Sequence, residues 1–311
     1  MRALLLACFC LSGMSPAFAQ GAAGVERTPD GRPDLQGVWA TRFVTRLERP
    51  AVATALEVSA DEAKRIVEDM RSRSSAVTDP DFAFYGFDQL AQVNGKFRTS
   101  QMIDPPDGKI PYTQVGIDLA EAFDMRESYA FDDPEDRPPY ERCLAGILAP
   151  PIRTLPMLIP IQIVQTPDAV VFTNEDVQGL RIVPVNAKPW PAVVQPFDGV
   201  GRGRWEDDTL VIETTGFRPD DIARPDFGPP IMLTETTLIT ERFTRTSHDA
   251  LLYQYTVEDA HLYTQPWSAE FVMTLEPDGV VHEYACHEAN HSLGNMLLAG
   301  RLGRQSKPDP K

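Results

Sequence analysis

The chain has 311 residues, with 45 acidic against 29 basic side chains, a formal net charge of −16 and 42% hydrophobic residues. The apolar content is too high for a disordered protein, and the acidity argues against nucleic acid or anionic membranes as partners, because both require clustered Lys and Arg. The 28 prolines are about twice the usage of an average protein (~5%), which disfavours long helices and favours strands, turns and extended connections.

Residues 1–19 have the pattern of a secretory signal peptide. Arg2 precedes an apolar run, Ala3–Leu11, and Ala17–Ala19 supplies an A-x-A cleavage site. The run is much shorter than the ~20 residues that span a bilayer, and we expect no integral membrane segment after cleavage. The mature chain is therefore expected to begin near Gln20 and to work in the periplasm or outside the cell.

Signal cleavage would leave two cysteines in the mature chain. Cys143 and Cys286 remain once Cys8 and Cys10 are removed. In an oxidising compartment the natural inference is one disulfide. It would close a loop of roughly 140 residues and contribute up to about 4–5 kcal/mol in the chain-entropy model. A reactive thiol nucleophile is the competing interpretation.

The first predicted elements follow a flexible N-terminus at residues 20–33. Asp34–Ala40 predicts a strand that places Trp39 in the core. Ser59–Ser72 predicts a helix, because Ser59 and Glu62 have the spacing of a capping box.

Two further segments precede the β region. Residues 76–99 are irregular and rich in aromatic side chains, a composition typical of a segment that wraps the core or covers a pocket. Gln114–Arg126 predicts a second helix, since Val115, Leu119 and Phe123 recur at helical spacing.

From residue 152 onward the pattern is that of β-strands. Short apolar runs at this spacing, separated by Pro, Asp and Gly turns and without intervening helices, indicate an antiparallel barrel or sandwich. We expect one mainly β domain over residues 34–305, in which helices from a mixed region at 34–150 pack across a β core at 151–290. The candidate strands are Ile159–Thr166, Ala169–Asn174, Gly179–Pro184, Gly203–Trp205, Thr209–Thr215, Leu233–Thr244, Ala250–Val257, Ser268–Leu275 and Gly279–His287.

Three motifs spread over the mature chain carry a family resemblance. They are TPDG-x-PDL-x-G-x-W at Thr28–Trp39, RGRWE-x-DTLV-x-ETT-x-F at Arg202–Phe217 and YACHE-x-N at Tyr284–Asn290. With them, the chain resembles a family of secreted bacterial proteins of undefined function, and the resemblance implies a secreted domain of that family without implying a reaction. The G-x-W element at Gly37–Trp39 also looks like the opening of a lipocalin-type barrel, which implies a calycin-like barrel that holds a small apolar ligand.

The sharpest local signal is a literal HExxH at His287–His291. On a helix, His287 and His291 would bind Zn²⁺ with Glu288 as the general base. However, His287 follows a β-type run, and no Glu or His occurs after His291 to supply a third ligand. We therefore prefer His287 as a general acid–base near pH 7 with Glu288 or Glu283 as its partner. The competing structural interpretation is a buried His bonded to a strand carbonyl.

Arginine and aromatic side chains on the strands are the candidate ligand contacts. An Arg beside a Trp can clamp a carboxylate or stack on an aromatic ligand, although ion pairs and core packing use the same residues. Strand alternation puts Glu241 and Phe243 on one face and Arg242 on the other. Whichever of the carboxylate and the Arg points inward is a candidate pocket group, and equally a candidate for a paired structural charge. The predicted substrate contacts are Arg202, Arg204, Trp205, Arg242, Tyr263, Trp267 and Tyr284.

The sequence has no GxGxxG before a helix, no phosphate loop and no GxSxG, and we therefore expect no cofactor. The best-supported hypothesis is a secreted barrel enzyme that binds a small, partly apolar substrate and performs cofactor-free acid–base chemistry as a lyase, isomerase or hydrolase. A lipocalin-like carrier or sensor of an apolar ligand is the first alternative. A zinc hydrolase using His287 and His291 is the second.

Overall fold

The structure is a computed structural model, and it describes residues 24–73, 88–155, 159–177, 179–187, 196–218, 223–224, 228–288 and 290–305. The predicted signal peptide at 1–19 lies outside the described residues. So do the first residues of the predicted flexible N-terminus and much of the aromatic-rich segment at 76–99.

Strands make up most of the regular structure. The helices are α1 (Ala60–Arg73), α2 (Gln114–Tyr129) and α3 (His291–Gln305), with a short 3-10 helix at Pro134–Asp136. The strands are β1 (Gly37–Ala40), β2 (Glu57–Val58), β3 (Gln92–Val93), β4 (Lys96–Arg98), β5 (Met102–Asp104), β6 (Ile161–Gln165), β7 (Ala169–Asn174), β8 (Leu180–Pro184), β9 (Val200–Glu206), β10 (Thr209–Thr215), β11 (Ala223–Arg224), β12 (Ile231–Met232), β13 (Leu238–Arg245), β14 (Ala250–Glu258) and β15 (Trp267–Leu275).

One antiparallel sheet organises the molecule. Its strands run in the order β8-β7-β6-β1-β15-β14-β13-β10-β9, and β5 pairs with β15. The two outermost strands meet again through a parallel bridge between Val185 and Gly203. A Cβ on Gly203 would lie 3.2 Å from Cγ2 of Val185, so glycine permits the close approach. The sheet is therefore a nearly closed barrel, which confirms the predicted mainly β, barrel-type fold.

Alternation along the strands fills the barrel with side chains. On β14 and β15 every second residue points inward and is buried, as Tyr253 and Phe271 show. The ring of Tyr253 lies 4.9 Å from that of Phe243 and 5.0 Å from that of Phe271, measured between centroids. Trp39 is fully buried in the same core, as predicted. The middle of the barrel is thus a packed aromatic core.

Both predicted helices form, and they pack in different places. Ser59 Oγ accepts the Glu62 N–H at 3.3 Å at the start of α1, whose Ile66 and Val67 form a separate small core beside the sheet of β2, β3 and β4. α2 instead contributes Ala120 and Phe123 to the main core. Helix α1 therefore stabilises its own small sheet.

The C-terminal region departs from the prediction. The expected strand Gly279–His287 is irregular chain ending in a turn, and the unpredicted helix α3 follows it. A disulfide joins Cys143 to Cys286, with a Cα–Cα distance of 5.8 Å. The disulfide prediction is confirmed, and the thiol-nucleophile interpretation is wrong because both sulfurs are bonded. No helix in the described part of the chain has the length and apolar character needed to cross a membrane.

Candidate functional site

The residues predicted around His287 lie at the surface. His287, Glu288 and Glu283 are exposed, and the side chain of Tyr284 is 50% exposed. The bond from Cys286 to Cys143 pins the adjacent backbone. His287 is therefore not the buried histidine of the competing interpretation. Its acid–base role stays a prediction for a group in contact with solvent.

The HExxH segment is not one helix. His287 belongs to a turn, whereas His291 is the first residue of α3, so the two imidazoles do not share the helical face that the motif requires. Within the residues that the structure describes, no group of three or more His, Cys, Asp or Glu side chains could hold a metal ion. The zinc hydrolase alternative lacks its geometric basis.

The predicted arginine clamp lies on the outer face of the barrel. Arg202 is exposed, and Arg204 pairs with Glu206 at 2.8 Å and with Glu213 at 2.7 Å. Arg242 binds the other oxygen of Glu206 at 2.9 Å. Hydrogen bonds from Arg242 and then Arg204 lower the pKa of Glu206. The three arginines therefore lie on the solvent-facing side of the sheet and not in the barrel interior, where a ligand clamp would be needed.

The predicted aromatic contacts pack in the core or at its edge. Trp267 is fully buried, and the buried Tyr263 hydroxyl donates to the Met232 carbonyl at 2.6 Å. Trp205 packs against the core with the guanidinium of Arg32 5.7 Å from its ring centroid. In this structure their contacts are with the protein itself.

A charged pair lies inside the barrel instead. Glu241 on β13 is fully buried and accepts a hydrogen bond at 2.9 Å from Nη1 of Arg181 on β8. Nη2 of Arg181 binds the second Glu241 oxygen and also donates to Thr214 Oγ1 at 3.3 Å. Burial lowers the pKa of Arg181, but the charge and hydrogen bonds of Glu241 outweigh it and the net shift is upward. The two groups form a bidentate pair.

Tyr253 extends this pair into a network of three side chains. Its hydroxyl donates to Glu241 Oε1 at 2.9 Å and accepts the backbone N–H of Ile152 at 2.8 Å. Burial, and then the neighbouring Glu241 charge, raise the pKa of Tyr253 well above its usual range. The hydroxyl therefore keeps its proton at neutral pH.

Ile152 belongs to a segment that closes this end of the barrel, residues 146–153, which we call the cap. The cap is held at both sides: Ile147 N–H donates to Asp176 Oδ2 at 2.8 Å, and Arg224 Nε donates to the Pro150 carbonyl at 3.2 Å. Arg224 is 1% exposed. The cap is thus fastened by side chains that are themselves buried.

A small cavity lies between the cap and the barrel strands. The volume in which the centre of a water molecule fits is about 10 Å³, so the cavity has room for about one water. Its lining is mainly apolar, with the Arg153 side chain as the charged member. The lining residues are Trp39, Thr41, Ile147, Ile152, Arg153, Leu155, Ile159, Ile161, Phe271 and Met273.

Asn174, at the end of β7, adds a polar group to the same end of the barrel. It is 3% exposed, and neither its Nδ2 nor its Oδ1 has a hydrogen-bond partner among the described residues. Its cross-strand neighbour is Ile161, which lines the cavity. Sequence reasoning missed Asn174 and Arg181, because they stand singly within ordinary strand patterns.

Comparison with protein-family models, curated proteins and solved structures returned no match. The function therefore has to be argued from the capped end of the barrel.

Proposed function

We propose that this protein is an extracytoplasmic small-molecule-binding β-barrel, a member of the secreted family that its motifs resemble, with its ligand site under the cap. The observation that carries the proposal is the network of Arg181, Glu241 and Tyr253, which leads from the barrel interior to the cap backbone. A buried ion pair adds little stability compared with well-packed apolar side chains. The network meets the cavity at the cap, because Ile152, whose N–H binds Tyr253, also lines the cavity.

The lining favours a small, partly apolar ligand. Trp39, Phe271 and Met273 supply apolar and aromatic surface, while Arg153 and the nearby Asn174 supply polar groups. Since the cavity has room for about one water, a ligand enters by displacing the cap. Displacement opens the bond from Ile152 to Tyr253 and turns the tyrosine hydroxyl toward the ligand.

Native mass spectrometry tests the proposal. The disulfide-bonded protein is incubated with a bacterial metabolite extract, desalted and measured intact, and we expect an added small-molecule mass that is lost on denaturation. Ile159→Phe, which fills the cavity, should abolish the added mass. Val164→Phe on the outer face of β6 is the matched control and should retain it. The absence of any added mass, or its retention in Ile159→Phe, contradicts the proposal.

A cofactor-free acid–base enzyme at the same site is the second candidate. It is favoured by the direct hydrogen bond from Tyr253 to the Glu241 carboxylate. In this chemistry of lyase, isomerase or hydrolase type, Tyr253 passes a proton between the ligand and Glu241. For a substrate identified in the screen, Tyr253→Phe should lower kcat about 10²–10⁴-fold, whereas His287→Ala should leave it unchanged. Loss of turnover in His287→Ala alone would move the chemistry to the surface histidine.

A further inference from the structure

We propose that Asn174 is a specificity-determining residue of the capped end, and that the ligand presents an amide-type edge, one N–H donor beside one carbonyl acceptor, on an apolar body. This inference rests on the proposed small-molecule site and adds the chemical class of its ligand.

The unpaired carboxamide is the first observation. Asn174 is 3% exposed, and its Nδ2 and Oδ1 atoms both lack partners in the described part of the chain. Leaving a buried donor or acceptor unpaired is destabilising, and such groups are rare in native proteins. A carboxamide with both ends unpaired is therefore expected to have a bound partner in its working state.

The position of Asn174 is the second observation. On one side its cross-strand neighbour Ile161 lines the cavity. On the other side, Arg181 on β8 pairs with Phe172 on β7. Phe172 lies two residues before Asn174, and both side chains are on the inward face of β7. Asn174 thus lies on the strand between Ile161, which lines the cavity, and Arg181 of the charged pair, although it is not itself part of the cavity lining. A ligand would reach it once the cap is displaced.

The Asn174 carboxamide can distinguish ligands by their polar groups, because its Nδ2 end donates and its Oδ1 end accepts a hydrogen bond. An amide or lactam donates to Oδ1 and accepts from Nδ2, so both ends of Asn174 are satisfied by one planar partner. A ketone or a carboxylate offers acceptors alone and leaves Oδ1 unpaired. A buried site rejects a ligand that lacks a needed hydrogen-bonding group more strongly than it rejects a ligand whose apolar part fits less well.

Three probes with the same ring separate these classes: benzamide, acetophenone and benzoate. Each is titrated into the ¹⁵N-labelled protein, and binding is followed by NMR at the Asn174 side-chain amide. We expect benzamide to bind about tenfold more tightly than acetophenone or benzoate, the ratio that about 1.4 kcal/mol gives. Asn174→Leu should lower the affinity for benzamide about tenfold and keep the affinity for acetophenone within twofold of the wild-type value. Binding to this variant is followed by NMR at the backbone amides of the cap.

The control is Gln162→Leu, the same amide-to-leucine change at a partly exposed position that alternation places on the outer face of the neighbouring strand β6. It should leave all three affinities unchanged. If Asn174→Leu does not fold, Asn174→Asp keeps the shape and replaces the donor by a second acceptor. It should still accept the N–H of benzamide and should weaken acetophenone and benzoate, which offer acceptors alone, so a lost preference for benzamide in this variant contradicts the inference.

Two results overturn the inference. The first is equal affinity of the three probes, or no binding of benzamide. The second is an unchanged preference for benzamide in Asn174→Leu; if the Tm of that variant is also lower, Asn174 is identified as the holder of a structural water. A ligand mass that persists in native mass spectrometry under any of these results retains the binding barrel and rejects the amide class alone.

Discussion

The hydroxyl of Tyr253 accepts the backbone N–H of Ile152 at 2.8 Å, and this bond ties the cap to the charged pair in the barrel. The same hydroxyl donates to Glu241. One side chain thus connects the closing segment of the barrel to its buried charge, and any movement of the cap changes the environment of Glu241.

Replacement of Tyr253 by Phe tests this link. The change leaves the buried N–H of Ile152 without its partner and leaves Glu241 Oε1 with the Arg181 bond alone. We therefore expect the free energy of unfolding to fall by about 1–3 kcal/mol. Urea unfolding followed by tryptophan fluorescence measures it. Tyr284→Phe, at an exposed position, is the control and should change stability by less than about 0.5 kcal/mol.

Breaking the buried ion pair should be far more damaging than breaking a surface one. Arg181→Met leaves the Glu241 charge buried and uncompensated, and a loss of about 3–5 kcal/mol is expected. The double variant Arg181→Met, Glu241→Leu removes both charges and should recover much of that loss. Arg204→Ala on the outer face should cost less than about 1 kcal/mol. Equal losses in the double and single variants would contradict the assignment.

Asp259 should contribute to acid sensitivity. Burial by itself would raise the pKa of Asp259, but hydrogen bonds from Thr234, Thr237 and two backbone N–H groups outweigh it, and the folded pKa is lowered. Because the folded pKa lies below the unfolded one, the stabilisation is present above the ordinary Asp value of about 3.9 and is lost as pH falls through the folded pKa. Asp259→Asn should flatten the fall of Tm below about pH 4; a curve parallel to that of the wild-type protein would contradict this.

Removal of the disulfide should destabilise the fold without changing the barrel core. Cys143→Ala, Cys286→Ala opens a long covalent loop, and a loss of about 2–5 kcal/mol is expected. Dithiothreitol should lower the Tm of the wild-type protein toward that of the variant and leave the variant unaffected. A dithiothreitol effect on the variant would point to a different cause.

The local features of the sequence determined a large part of the fold. Strand alternation and frequent turns predicted the β class, the capping box predicted α1, and the two cysteines outside the predicted signal peptide predicted the disulfide. These features follow from hydrogen bonding, periodicity and covalent chemistry over a few residues, and they need no knowledge of the partners in space.

Only the tertiary structure decided where the polar site lies. Alternation divides β9 into two faces, but closure of the sheet decides which face is interior, and it puts Arg202 and Arg204 outside with solvent. The pairing of Arg181 with Glu241 joins positions 60 residues apart, and neither local sequence shows it. His287 is exposed because its segment forms a turn at the surface and not a strand of the sheet. Periodicity fixes the faces of each strand, whereas burial and charge pairing depend on contacts that exist only after the barrel has closed.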